Sequence, residues 1–136
     1  MNLLIWQDID SVGVKELDDQ HKEIFSIANR LYDLVDQSPT KEDFIPVLNE
    51  LNGHALLHFS TEEKYFDLYQ YDQKIFHTKS HQAYTQKMNQ FLEEINHNFS
   101  TELVVQITDF MKNWWINHID IEDKKYSQYF NQNGLY

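Results

Sequence analysis

In the run HTKSHQAYTQKMNQFLEEI, from His77 to Ile95, the positions His77, His81, Tyr84, Met88, Phe91 and Ile95 recur in alternating steps of four and three. That spacing places them on one narrow stripe of an α-helix, the seam of a coiled-coil-like bundle. A helix is predicted from about Gln73 to His97, with Asp72 as its cap. The anomaly lies at the start of the seam. Two positions best served by leucine or isoleucine are histidines instead.

The same kind of stripe recurs on both sides. From about Asp18 to Asp36, His21, Ile24, Phe25, Ala28, Leu31, Tyr32 and Val35 share one face, and Ser38-Pro39 ends that helix. A second helix runs from about Lys41 to Tyr69, capped by Thr40, with Glu42 and Asp43 in its first turn to complement the dipole. Its inner face reads Phe44, Val47, Leu48, Leu51, Ala55, His58, Glu62. A fourth helix starts after the cap Ser100 and reads Val104, Ile107, Met111, Trp114, His118, and a short last helix reaches about Phe130. An amino-terminal arm extends to about Gly13. The connections are short, so sequential helices are antiparallel neighbours. The expectation is an all-α, up-down-up-down four-helix bundle forming one domain over residues 1–136.

Composition narrows the function. The chain has no cysteine, which excludes disulfides, thiolate-bound zinc and iron–sulfur clusters. Its formal charge is −11 and Arg30 is its only arginine. No nucleic-acid partner is expected, because a basic patch cannot be assembled. The start carries no basic stretch and no long apolar run, and no other segment is apolar for long enough to span a bilayer. No membrane association is expected, and the cytoplasm is the default compartment.

The polar interruptions of the stripes carry the chemistry. His58 and Glu62 are four apart on the second helix, and His77 and His81 are four apart on the third, so each pair projects from one face. In an antiparallel bundle the starts of helices one and three lie beside the ends of two and four. His21, His58, Glu62, His77, His81 and His118 therefore fall at one level, and Asp123 follows five residues after His118. A step of five turns about 500° on a regular α-helix, so the chain must loosen, tighten or bend after His118 to bring Asp123 in. Asp120 and Glu122 are rival carboxylates expected to face solvent. His54 lies one turn before His58, away from this level, and reads as structural. His97 meets the C-terminal dipole of its helix. Each pair alone is more often a solvated surface contact, but their convergence on apolar stripes is not. Burying so many polar groups without partners would cost several kcal/mol each. Imidazole suits zinc, copper, iron and nickel, and a carboxylate can bridge two ions. The set is too large for one tetrahedral zinc and suits two octahedral ions.

Taken together, His21, His58-Phe59-x-x-Glu62, His77-x-x-x-His81 and His118-x-x-x-x-Asp123 resemble the ligand set of the hemerythrins. Ser11-Val12-Gly13-Val14, Leu17-Asp18-Asp19-Gln20-His21, Trp114-Trp115-x-Asn117-His118-Ile119 and Asp123-Lys124-Lys125-Tyr126 resemble the opening and closing segments of the bacterial branch, the bacteriohemerythrins. The resemblance covers essentially the whole chain. It implies two non-haem iron ions, one held by His77, His81 and His118, the other by His21 and His58. Glu62, Asp123 and an oxo or hydroxo group would bridge them. It implies an open position on the second iron, where O2 binds reversibly as hydroperoxide, walled by Ile24, Phe59, Trp114 and Trp115. Trp115 departs from the pattern, which has a leucine there, and a tighter pocket is expected. The expected role is O2 storage, delivery or scavenging by a monomer that is not an enzyme. The alternatives are an O2 or redox sensor, and a di-iron oxidase, peroxidase or nitric-oxide-handling enzyme. The imidazole-rich ligand set and the lack of further acid–base residues favour binding.

Overall fold

The computed structural model describes residues 4–136. Helix α1 spans Lys15–Val35, α2 Lys41–Leu68, α3 Lys74–His97 and α4 Thr101–Asn117. A π-helical turn, His118–Asp123, leads into α5, Lys124–Gln132, and a 3-10 turn, Asp8–Asp10, sits in the arm. Helix α1 packs on α2, α2 on α3, α3 on α4, and α4 back on α1. The four long helices thus close a ring, the four-helix bundle expected from the stripes.

The helix ends show why the chain turns where it does. Ser38 takes a left-handed conformation (φ 50°) after α1, and Pro39 cannot continue the helix. Thr40 caps α2 reciprocally. Its hydroxyl accepts from the Asp43 N–H at 3.2 Å, and the Asp43 carboxylate accepts from the Thr40 N–H at 3.1 Å. Ser100 caps α4 by accepting from the Leu103 N–H. Asp72 does not cap α3. The residue at the cap position is Gln73, with no side-chain cap hydrogen bond. The reason is how α2 ends: Gln70 is left-handed (φ 55°) and the Tyr71 N–H returns to the Phe66 carbonyl at 2.9 Å. This Schellman-type closure makes Tyr71 and Asp72 part of the turn.

The core has two parts. The larger runs along the bundle and includes Leu31, Phe44, Leu48, Leu51, Met88, Phe91, Ile107 and Met111. The second closes one end and is built from the arm (Val12, Val14), α1 (Leu17), the end of α2 (Phe66), Tyr71 and α5 (Tyr126, Phe130). The arm is held in place by hydrogen bonds. The Asp18 carboxylate accepts from the Ser11 hydroxyl at 2.5 Å and the Val12 N–H at 2.8 Å, and Asn29 pairs with both backbone groups of Leu4. Gly13 allows the arm to turn (φ 75°) close to α5, where a Cβ would lie 2.8 Å from the Ser127 hydroxyl. No helix among the described residues is long and apolar enough to cross a membrane.

Candidate metal centre

Between the two apolar regions lies a polar layer. His21 comes from α1, His58 and Glu62 from α2, His77 and His81 from α3, and His118 and Asp123 from the two ends of the π-helical turn. All are buried, with at most 2 % of their surface exposed. His77 stands against Phe66 and Tyr126 of the end cluster. On the other side, Phe59 stacks between the rings of His81 (4.0 Å) and Trp115 (5.6 Å).

The two carboxylates are shared. Asp123 presents Oδ1 to His77 Nε2 (2.9 Å) and His118 Nε2 (3.0 Å), and Oδ2 to His21 Nε2 (2.8 Å) and His58 Nε2 (3.6 Å). Glu62 Oε1 lies 3.0 Å from His81 Nε2, 3.3 Å from His58 Nε2 and 3.5 Å from His77 Nε2. Two sets of converging atoms result, Glu62 with His77, His81 and His118, and Glu62 and Asp123 with His21 and His58. Each set could hold a metal ion.

Most of these approaches are close without being hydrogen bonds. The Nε2 atoms of His77, His81 and His118, both oxygens of Glu62 and Asp123 Oδ1 are buried and lack a hydrogen-bond partner. Protein hydrogen bonding leaves few such atoms in a native interior. Here they cluster and point at common centres instead of at one another, which is how donors to a cation are arranged.

The electrostatics agree. Burial and the neighbouring Asp123 push the Glu62 carboxyl up, but His58, His77 and His81 outweigh them and hold it below the usual carboxylate range. Burial likewise opposes ionisation of Asp123, yet His118, His21 and His58 hold its carboxyl well down. Burial works against the charged form of His77, but Asp123 and Glu62 raise its pKa to about 10. Burial lowers that of His58 despite Glu62. In the metal-free protein both carboxylates are therefore charged, and His77, which faces both of them, carries a compensating proton.

The step of five between His118 and Asp123 is resolved by the π-helical turn. A π-helix bonds five residues back and is wider than an α-helix, so a step of five overshoots one turn far less and brings Asp123 round towards the His118 face. Asp120 is exposed, with Asp10 and Lys124 as its charged neighbours. Glu122 is half-buried and pairs with Lys125. Neither joins the cluster, and His54 and His97 also stay outside both sets.

Of the residues expected around the open position, Trp115 stands beside His58 (6.1 Å between rings), and its indole N–H donates to the Tyr84 hydroxyl at 3.1 Å. Ile24 and Phe59 are buried in the same core. Trp114 is half-buried; it stacks on His118 (4.2 Å, 13° between planes) and also packs against Phe59 and Trp115. Sequence reasoning missed the partners of the outward ring nitrogens: Gln20 at His58, Glu63 at His81 and Ser80 at His118. Each is adjacent in sequence to one of the cluster residues, the only signal that could have marked it.

The family model for the hemerythrin HHE cation binding domain matches residues 12–130. The chain belongs to the hemerythrin family. It is 27% identical over 128 residues to a bacteriohemerythrin of Clostridium acetobutylicum, covering 91% of this chain and 98% of that one. It is 26% identical over 123 residues to a bacteriohemerythrin of Pseudomonas aeruginosa, covering 90% of this chain and 78% of that one. Crystal structures of wild-type hemerythrin and of a leucine-to-alanine variant superpose with TM-scores of 0.82 and 0.84 at 24% identity, covering 93% and 94% of this chain and 96% and 97% of those. Hemerythrin family membership thus accounts for both the bundle and a histidine–carboxylate cluster able to bind metal.

Proposed function

We propose that this hemerythrin-family chain binds dioxygen reversibly at a pair of non-haem iron ions, for O2 storage, delivery or scavenging. The observation that carries the reading is the placing of Glu62 and Asp123, each facing both histidine sets. The buried, unpartnered donor atoms fit a pair of hard-to-borderline cations better than one. His77, His81 and His118 would hold one ion and His21 and His58 the other, with Glu62 and Asp123 shared. Two such ions would lend one electron each to bound O2 and recover both on its release.

The side chains explain why the site would bind and not activate. With His21 and His58 as its only histidines, the two-histidine half would have one protein donor fewer and would leave a place for O2. Trp115, fixed by its hydrogen bond to Tyr84, covers that half beside His58, and Phe59 and Ile24 complete an apolar wall. This wall excludes the water and protons that would drive off reduced oxygen. Tyr84, the titratable side chain bonded to Trp115, has its phenol pushed well up by burial and keeps its proton, which favours O2 binding over turnover as an oxidase or peroxidase.

The test is metal content and optical spectroscopy of protein made in iron-replete cells. Two irons per chain are expected, with a visible band that appears in air and bleaches when O2 is removed. One zinc per chain, or immediate irreversible oxidation without that band, would overturn the reading.

A further inference from the structure

The outward nitrogens of the clustered histidines do not meet the same chemistry. His58 Nδ1 donates to the neutral amide oxygen of Gln20 at 2.8 Å. That amide is fixed in turn: Gln20 Nε2 donates to the Thr61 hydroxyl at 3.0 Å, which donates to the Leu57 carbonyl at 2.8 Å. His118 Nδ1 lies 3.3 Å from the Ser80 hydroxyl. His21 Nδ1 is buried without a hydrogen-bond partner. His81 Nδ1 instead faces a carboxylate, Glu63 Oε2, at 3.1 Å.

A carboxylate that accepts the ring N–H makes the opposite nitrogen a stronger donor, because negative charge is pushed through the imidazole. A neutral amide or hydroxyl does this far less. A stronger donor favours the more highly charged metal ion. The stacking of Phe59 on His81 keeps that ring in one orientation, so the charge is delivered along a fixed direction. Glu63 is itself 37% exposed, on the wall of the groove between α2 and α3. Water therefore weakens the effect without removing it.

We propose that Glu63 is a positioning residue that acts through His81 to stabilise the ferric state on the three-histidine half, so that this half gives up the first electron. The proposal rests on the di-iron reading above. In the one-electron step the electron passes to the oxidant used in the titration, and the Nδ1 proton stays between His81 and Glu63.

The test is an anaerobic potentiometric titration of iron-loaded protein, with iron content measured first. Glu63→Gln keeps a hydrogen-bond acceptor and removes the charge. Loss of a partner of this kind costs about 10-fold in metal affinity at the low end, and where the ferric ion alone bears that loss the potential rises by about 59 mV for one electron. Gln20→Glu places the same charge behind His58 and should lower the potential of the other half. In metal-free protein, the His81 Nδ1 proton should resonate downfield of that of His58 and move upfield in Glu63→Gln. A wild type without two irons overturns the di-iron reading. Two irons with the same potential in wild type and Glu63→Gln overturn the role of Glu63 alone. If Glu63→Gln does not retain iron, Gln20→Glu decides, and an unchanged or raised potential there overturns the proposal. So does a His81 proton that Glu63→Gln leaves in place.

Discussion

Replacing Trp115 by leucine tests whether this side chain is the wedge that shapes the two-histidine half. The indole is fully buried, in ring contact with Phe59, Tyr84, Trp114 and His58. Truncating such a residue to alanine costs about 3–5 kcal/mol, and leucine refills roughly half the space, leaving about 2 kcal/mol. The indole N–H donates to the Tyr84 hydroxyl. Tyr84 is itself buried, so the lost bond adds about 1 kcal/mol. The total of about 3 kcal/mol should lower the melting temperature of the metal-free protein by on the order of 10 °C. Circular dichroism measures this without interference from iron. A double-mutant cycle with Tyr84→Phe isolates the hydrogen bond, and a coupling of about 1 kcal/mol is expected. In iron-loaded protein the same variant should bind azide faster in its diferric form and lose its oxygen-bound form sooner, because solvent enters more easily. A melting temperature within a few degrees of wild type, or zero coupling with Tyr84, would refute the wedge. Unchanged azide and decay rates with an intact spectrum would place Trp115 outside the ligand path.

Glu62→Ala and Asp123→Ala should each abolish the coupled metal pair by iron analysis, whereas Asp120→Ala and Glu122→Ala should keep it; the reverse pattern for Asp120 and Asp123 would reassign the carboxylate. In metal-free protein the His77 pKa is raised to about 10, so the ring carries a proton at pH 7 that a metal must displace. Ferrous iron should therefore bind with proton release and more weakly as pH falls, read as a buffer-dependent heat by titration calorimetry; the same heat in buffers of different ionisation enthalpy would contradict this. Deleting Ile121, an exposed residue of the π-helical turn, should leave iron content near wild type, and its loss would mean that the wide turn itself shapes the site.

The bundle was legible because its stripes are regular, and the candidate site because histidine and carboxylate break them at matching depth. His77 and His81 were conspicuous only beside Tyr84, Met88, Phe91 and Ile95. What stayed hidden depends on contacts between distant segments. Val12, Val14, Leu17, Phe66, Tyr71, Tyr126 and Phe130 form the end cluster, yet no short window shows their shared face. Asp72 looked like a cap because its side chain suits one, but the closure at Gln70 moved the turn past it. Gln20, Glu63 and Ser80 are polar residues on amphipathic helices, indistinguishable in sequence from ordinary surface.

The π-helical turn also governs what lies beyond it. Along α4 and α5 the inward residues are Val104, Ile107, Met111, Trp115, His118, Asp123, Tyr126 and Phe130. Every interval is three or four except the five between His118 and Asp123. The wide turn absorbs the surplus residue, so the two helices keep a common phase, and Tyr126 and Phe130 still face inward after the interruption. Seen as a genetic event, this is a one-codon insertion whose rotational error is cancelled where it occurs. The few positions between His118 and Asp123 are therefore where this chain can change length by one residue without turning the aromatic lid of the bundle out to water.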